Sequence, residues 1–141
     1  MIKRTLLTLS LVSSLSLPMC SFAETAVIVH PDNANGTLDQ GVIKKIFLGK
    51  AKRFPDGSEA IPIDQVDSSS VKNVFLNTVV GKSSSQMKSY WSKRVFTGKG
   101  TPPKQVSTSA DVKKLVSENP ATIGYIDSSE VDASVKVVHT F

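Results

Sequence analysis

Short β-branched runs alternate with segments of helical spacing throughout residues 24–141, and that alternation restricts the chain to an α/β fold. Ala26-Val27-Ile28-Val29 closes at His30-Pro31 and reads as a buried strand. Asp32 to Gly36 is turn chemistry, and Thr37 stands three residues before Gln40, the spacing of a capping box. That spacing predicts a helix carrying Leu38, Val42, Ile46 and Phe47 to a stop at Gly49. Pro55-Asp56-Gly57 turns the chain into Ile61-Pro62-Ile63, a strand expected near a sheet edge because proline donates no ladder hydrogen bond.

Three serines, Ser68 to Ser70, then lead into Val71, Val74, Phe75, Thr78 and Val79, which share one helical face up to Gly81. A further helix is expected from about Ser84 with Met87, Tyr90, Trp91 and Val95 inward, followed by a Gly- and Pro-rich loop from Phe96 to Pro103. A fourth, capped near Thr108 or Ser109, carries Val112, Leu115 and Val116 and stops at Asn119-Pro120. Ile123 to Ile126 and Val135 to Val138 supply the last two strands. No internal repeat and no long linker divides this stretch, so residues 24–141 are read as one domain.

The first 23 residues read as a cleavable signal peptide: Lys3 and Arg4, an apolar run from Leu6 to Leu17, then Ser21-Phe22-Ala23 at the cleavage position. The run falls short of the roughly 20 residues of a membrane-spanning helix. The expected location is the periplasm, with no membrane span. Cys20, preceded by Met19 rather than a small residue, is expected to leave with the leader rather than carry a lipid. The mature chain then has no cysteine and no thiol chemistry.

The formal charge of +5 includes Lys3 and Arg4, which leaves +3 on residues 24–141. Its lysines are spread along the chain, which argues against a nucleic-acid reader. Enzyme signatures are mostly absent. Gly81-Lys82-Ser83 lacks the earlier glycine of a P-loop, since Leu76 stands there. No nucleophile–base pair suggests a hydrolase, and His30 and His139 have no partners at metal-ligand spacing. No cofactor or metal is expected. Asn35-Gly36-Thr37 matches a glycosylation acceptor but reads better as a turn.

Two places carry ligand chemistry. Ser68, Ser69 and Ser70 precede a helix, whose first N–H groups and dipole suit an anion; the plain alternative is that one serine caps the helix. Thr97-Gly98-Lys99, with Arg94 before it, pairs a flexible backbone with two cations, or is simply an interhelical turn.

Several blocks together resemble the phosphate-binding proteins of ABC transporters, and in particular short single-domain relatives of them. They are Ile46-Phe47-Leu48-Gly49-Lys50, Pro55-Asp56-Gly57, Ile61-Pro62-Ile63 and the serine turn. Trp91, Val95 to Pro103, and Asn119 to Tyr125 extend the resemblance over nearly all of residues 24–141. It implies a single lobe of a periplasmic-binding protein, a mixed sheet flanked by helices. It also implies phosphate or a similar small anion as ligand, and an ABC transporter as partner. The family's turn, Arg-x-Asp-Gly-Ser-Gly-Thr, would place Asp67 and Ser69 on its Asp and Ser, with Gln65 where the arginine stands, Ser70 for the second glycine and Val71 for the threonine. A neutral Gln65 lacks the paired, charge-assisted bonds of an arginine. Lys99, Arg94 or a second copy in a homodimer is expected to compensate. The alternative function is a ligand-free accessory protein of the envelope acting through partners, with Phe96 and Pro102-Pro103 as its contact surface.

Overall fold

The computed structural model describes residues 24–141; the signal-peptide and Cys20 expectations lie outside the described residues. Strand β1 (Thr25–Val29) is buried at every position because both its edges and both its faces are covered. It lies between β4 (Thr122–Asp127) and β5 (Lys136–Thr140), antiparallel to both. Val27 and Val29 face one apolar layer, and Ala26 and Ile28 face the other. The register against β5 shifts between Val27 and Ile28.

The sheet continues through β2 (Ile61–Gln65) to β3 (Lys104–Val106), in the order β3-β2-β4-β1-β5. β2 runs parallel to both β3 and β4. It is therefore an interior strand, not the edge strand that Pro62 suggested. Ile61 donates its N–H to Ala121 on the β4 side, so the next residue, Pro62, faces the other side. Pairing with β3 begins only at Ile63, so no ladder bond is lost. β3 itself was not expected from the sequence.

Helix α1 (Gln40–Phe47) begins at Gln40, not at Thr37. Its N-cap is Asp39, with no side-chain capping bond, and Leu38 N–H is given to Val138 of β5 instead. Helix α2 (Ser70–Phe75) does not run straight to Gly81: it widens into a π-helical turn at Leu76–Val80, closed by Gly81 at φ 72°. The buried positions, Lys72, Phe75, Leu76, Val79 and Val80, keep helical spacing one position along from the expected stripe, so Val74 and Thr78 are exposed. Helix α3 (Ser84–Phe96) starts with a full capping box between Ser83 and Gln86. Its inner face is Met87 and Trp91; Val95, expected inward, is exposed.

α1, α2, the π turn and α3 cover one face of the sheet around Phe47, Phe75 and Tyr125, and the Phe75 and Tyr125 rings stack at 4.0 Å. Helix α4 (Ser109–Glu118), capped by Thr108, covers the other face through Val112 and Val116. A Cβ on Gly124 would meet Val112 Cγ1 at 2.4 Å, so a glycine there lets α4 lie directly on β4.

Candidate functional site

β2, β3 and β4 are parallel, so their carboxyl ends, Gln65, Val106 and Asp127, lie along one side of the sheet. The chain leaves β2 toward β3 on one side and returns from β3 to β4 on the other. In open α/β sheets such an end is where ligands bind. α2 and α4 both begin there, capped by Ser69 and Thr108.

A four-membered ladder of charges crosses this end. Lys72 on α2 is buried, and its ammonium lies 3.2 Å from Asp64 Oδ2 and 2.9 Å from Asp67 Oδ1. Lys88 on α3 lies 3.0 Å from Asp67 Oδ2. The hydrogen bonds of Lys72 and then Lys88 hold the Asp67 carboxyl below the usual carboxylate range. Asp64 Oδ1 accepts from the Tyr125 hydroxyl and, at 2.8 Å, from Gln65 N. Burial, reinforced by the charge of Asp64, pushes the Tyr125 phenol far above its ordinary range, so it acts as a permanent donor.

Gln65 faces inward rather than toward an incoming ion. Its Nε2 donates to Tyr125 O at 2.9 Å and to Ser109 Oγ at 3.3 Å, and its Oε1 accepts from Ser69 Oγ at 2.6 Å. Ser69 Oγ in turn accepts from Lys72 N at 3.3 Å, which makes Ser69 the cap of α2. Ser68 and Ser70 remain exposed beside it, next to the half-buried Asp67. The structure therefore gathers Gln65, Asp67 and the three serines at one place, but Gln65 and Ser69 bond to each other and to the protein.

The other candidates lie elsewhere, at the C-terminus of α3. Arg94 Nη2 donates to Lys99 O at 3.2 Å and to Gly49 O at 3.4 Å, with its guanidinium over the Tyr90 and Trp91 rings at 5.5 and 5.7 Å. Among the described residues its buried Nε has no partner. Thr97 Oγ1 donates to Lys93 O at 2.8 Å, and Gly98 takes φ 69°, the left-handed form that ends a helix. Lys99 is exposed. These groups satisfy helix-end carbonyls, the negative end of the dipole. Among the described residues, no hydrogen bond or ion pair joins Arg94 or Lys99 to the serine turn.

Between α3 and the β2–β3 side of the sheet an open cleft of about 680 Å³ reaches the charge ladder. Asp64, Asp67, Lys72 and Lys88 form its polar end, and Met87, Trp91, Val95, Phe96 and Pro102 its walls. Phe96 is 92% exposed. Sequence reasoning missed Asp64, Lys72, Lys88 and Tyr125. A signal existed for Lys72, which stands three residues before Phe75 and four before Leu76, on the inner face of α2. Among the described residues no three metal-ligating side chains converge.

No protein-family model and no curated protein matches the chain. Solved structures do. A protein from Clostridium perfringens assigned as a phosphate ABC transporter substrate-binding protein, solved with bound phosphate, matches with a TM-score of 0.66 and 25% identity. The match covers 82% of this chain and 45% of that one. An ABC-type phosphate transport receptor from Vibrio cholerae matches at 0.65 and 19% identity, over 83% of this chain and 46% of its own. PstS from Borrelia burgdorferi matches at 0.61 and 16%, over 83% and 47%. The matched stretch thus spans slightly less than half the length of these proteins. The described chain has the phosphate-binding-like periplasmic-binding fold, in the form of a single lobe: a five-stranded mixed sheet flanked by helices.

Proposed function

We propose that this chain is an exported, non-catalytic solute-binding module that holds a small solute bearing an anionic group, phosphate being the first to test. The observation that carries the reading is the fold match to a phosphate-bound substrate-binding protein. In this chain the Asp67–Ser70 turn lies at the carboxyl end of β2, where α2 begins. Exposed Ser68 and Ser70 hydroxyls and the Lys88 ammonium are the donors left for the anion. Service to an ABC transporter in the periplasm belongs to the same reading, by analogy with the neighbours.

Isothermal titration of the purified protein with phosphate, against sulfate, tests it. Saturable heat that weakens about tenfold in a Ser68→Ala/Ser70→Ala variant supports the turn as the site. Flat traces with folded protein reject phosphate as the solute. Purification from the host envelope, with Glu24 as the first residue by N-terminal sequencing, tests export.

The inward commitment of Gln65, Ser69 and Lys72 favours a second reading, a lobe that keeps the fold and works through a protein partner. Stoichiometric recovery of one envelope protein by crosslinking from Phe96, lost in unlinked controls, would support it.

A further inference from the structure

We propose that the cleft between α3 and the β2–β3 side of the sheet binds a small zwitterion with an apolar body, rather than a bare inorganic anion. The proposal rests on the solute-binding reading and specifies its solute.

Charge balance at the ladder disfavours a bare anion. Two carboxylates, Asp64 and Asp67, meet two ammoniums, Lys72 and Lys88, and each inner member is already paired twice. A dianion at this end adds two negative charges to a neutral ladder, with Lys72 already enclosed by two carboxylates. Charge left uncompensated beside buried groups is costly. A zwitterion adds none. Its anionic group meets Lys88, whose side chain is 70% exposed and gives one of its three donors to Asp67. Its cationic group meets Asp67, 37% exposed on the same rung.

Size and wall chemistry favour a solute with an apolar body. A volume of about 680 Å³ falls within the roughly 300–1,000 Å³ typical of small-molecule sites, which join apolar walls to a few placed polar groups. Met87 and Trp91 are the cleft's buried apolar lining, and Val95, Phe96 and Pro102 its exposed apolar lining. Inorganic phosphate has nothing to place against them. An apolar body gives the almost fully exposed Phe96 ring a partner.

Trp91 is the chain's one tryptophan and lines the cleft, so its fluorescence reports occupancy. The purified protein is titrated with L-phenylalanine, 3-phenylpropanoate, 2-phenylethylamine, glycine and inorganic phosphate, with calorimetry in parallel. L-Phenylalanine is expected to saturate, and each probe lacking the ammonium, the carboxylate or the ring to bind about tenfold more weakly or worse. Phe96→Ala and Lys88→Met, both at exposed positions, are expected to weaken phenylalanine binding with unchanged circular dichroism. Equal affinity for 3-phenylpropanoate overturns the zwitterion. Phosphate saturating while phenylalanine does not overturns this inference and leaves the solute-binding reading standing. No heat from any probe, with the protein folded, overturns both.

Discussion

Replacing Lys72 by methionine removes one cation from between two carboxylates while keeping most of the side-chain volume. The Lys72 side chain is 4% exposed and that of Asp64 9%, so this pair lies in the interior. Breaking a buried pair by deleting one partner typically costs about 3–5 kcal/mol, because the survivor is left charged and poorly solvated. Two features put the cost at the low end. Asp64 keeps hydrogen bonds from Tyr125 and Gln65, and Asp67 keeps Lys88. The expected loss is about 3 kcal/mol, which for a domain of this size lowers the midpoint of thermal unfolding by roughly 10–15 °C.

Urea unfolding of Lys72→Met beside the parent measures this, with an unchanged m value required for the comparison. Adding Asp64→Asn supplies the decisive arm. The double variant has no stranded charge, so it should lose at least about 1 kcal/mol less than the sum of the single losses. A Lys72→Met loss under about 1 kcal/mol, or strict additivity, would refute the buried ladder and reduce it to a surface ion pair.

Gly124→Ala drives a methyl into Val112, 2.4 Å from the ideal Cβ position, and should cost about 1–3 kcal/mol in the same assay. Phe96→Ser, at a 92% exposed position, should leave stability within about 0.5 kcal/mol, and a larger loss would mean that the ring is packed in solution. Asp67 contributes to acid behaviour together with Asp56, Asp127 and Asp132: folding lowers its pKa from 3.8, so its stabilisation is complete above that value and is lost as pH falls through the lower folded one. Stability measured between pH 5 and 2 should therefore decline, and Asp67→Asn should make the decline shallower; an unchanged slope would count against the Lys72 and Lys88 contacts.

What the sequence disclosed follows from the length and purity of each signal. β1 and β4 were legible because Ala26 to Val29 and Ile123 to Ile126 are continuous apolar runs buried on both faces. β3 was not, because Lys104-Gln105-Val106 is a short polar edge strand held by pairing to β2 rather than by side-chain burial. Val74 was misplaced because the apolar pattern starts from Val71, whereas the buried stripe runs one position along through Lys72, Phe75, Leu76 and Val79, and a hydrophobic pattern passes over its lysine. At the site, the serines were visible as a helix start, and Asp67 only through the family's turn. Lys72 was hidden because an isolated lysine ordinarily signals solvent, and what buries it are carboxylates on β2 and in the following turn.

Stability and the proposed recognition therefore fall on different residues at this end of the sheet. Gln65, Ser69, Lys72 and Tyr125 face inward and bond to each other or to Asp64, so changes there should move the unfolding midpoint whatever ligand is present. Lys88 and Phe96 face the cleft, and changes there should move affinity with little effect on folding. Asp67 belongs to both sets: one oxygen holds the buried Lys72, and the other holds the exposed Lys88. Internal neutralisation by Lys72 also means that the two carboxylates need no bound cation to coexist. The lobe should then fold fully without ligand, and a solute should add stability only through mass action, as a midpoint that rises with its concentration.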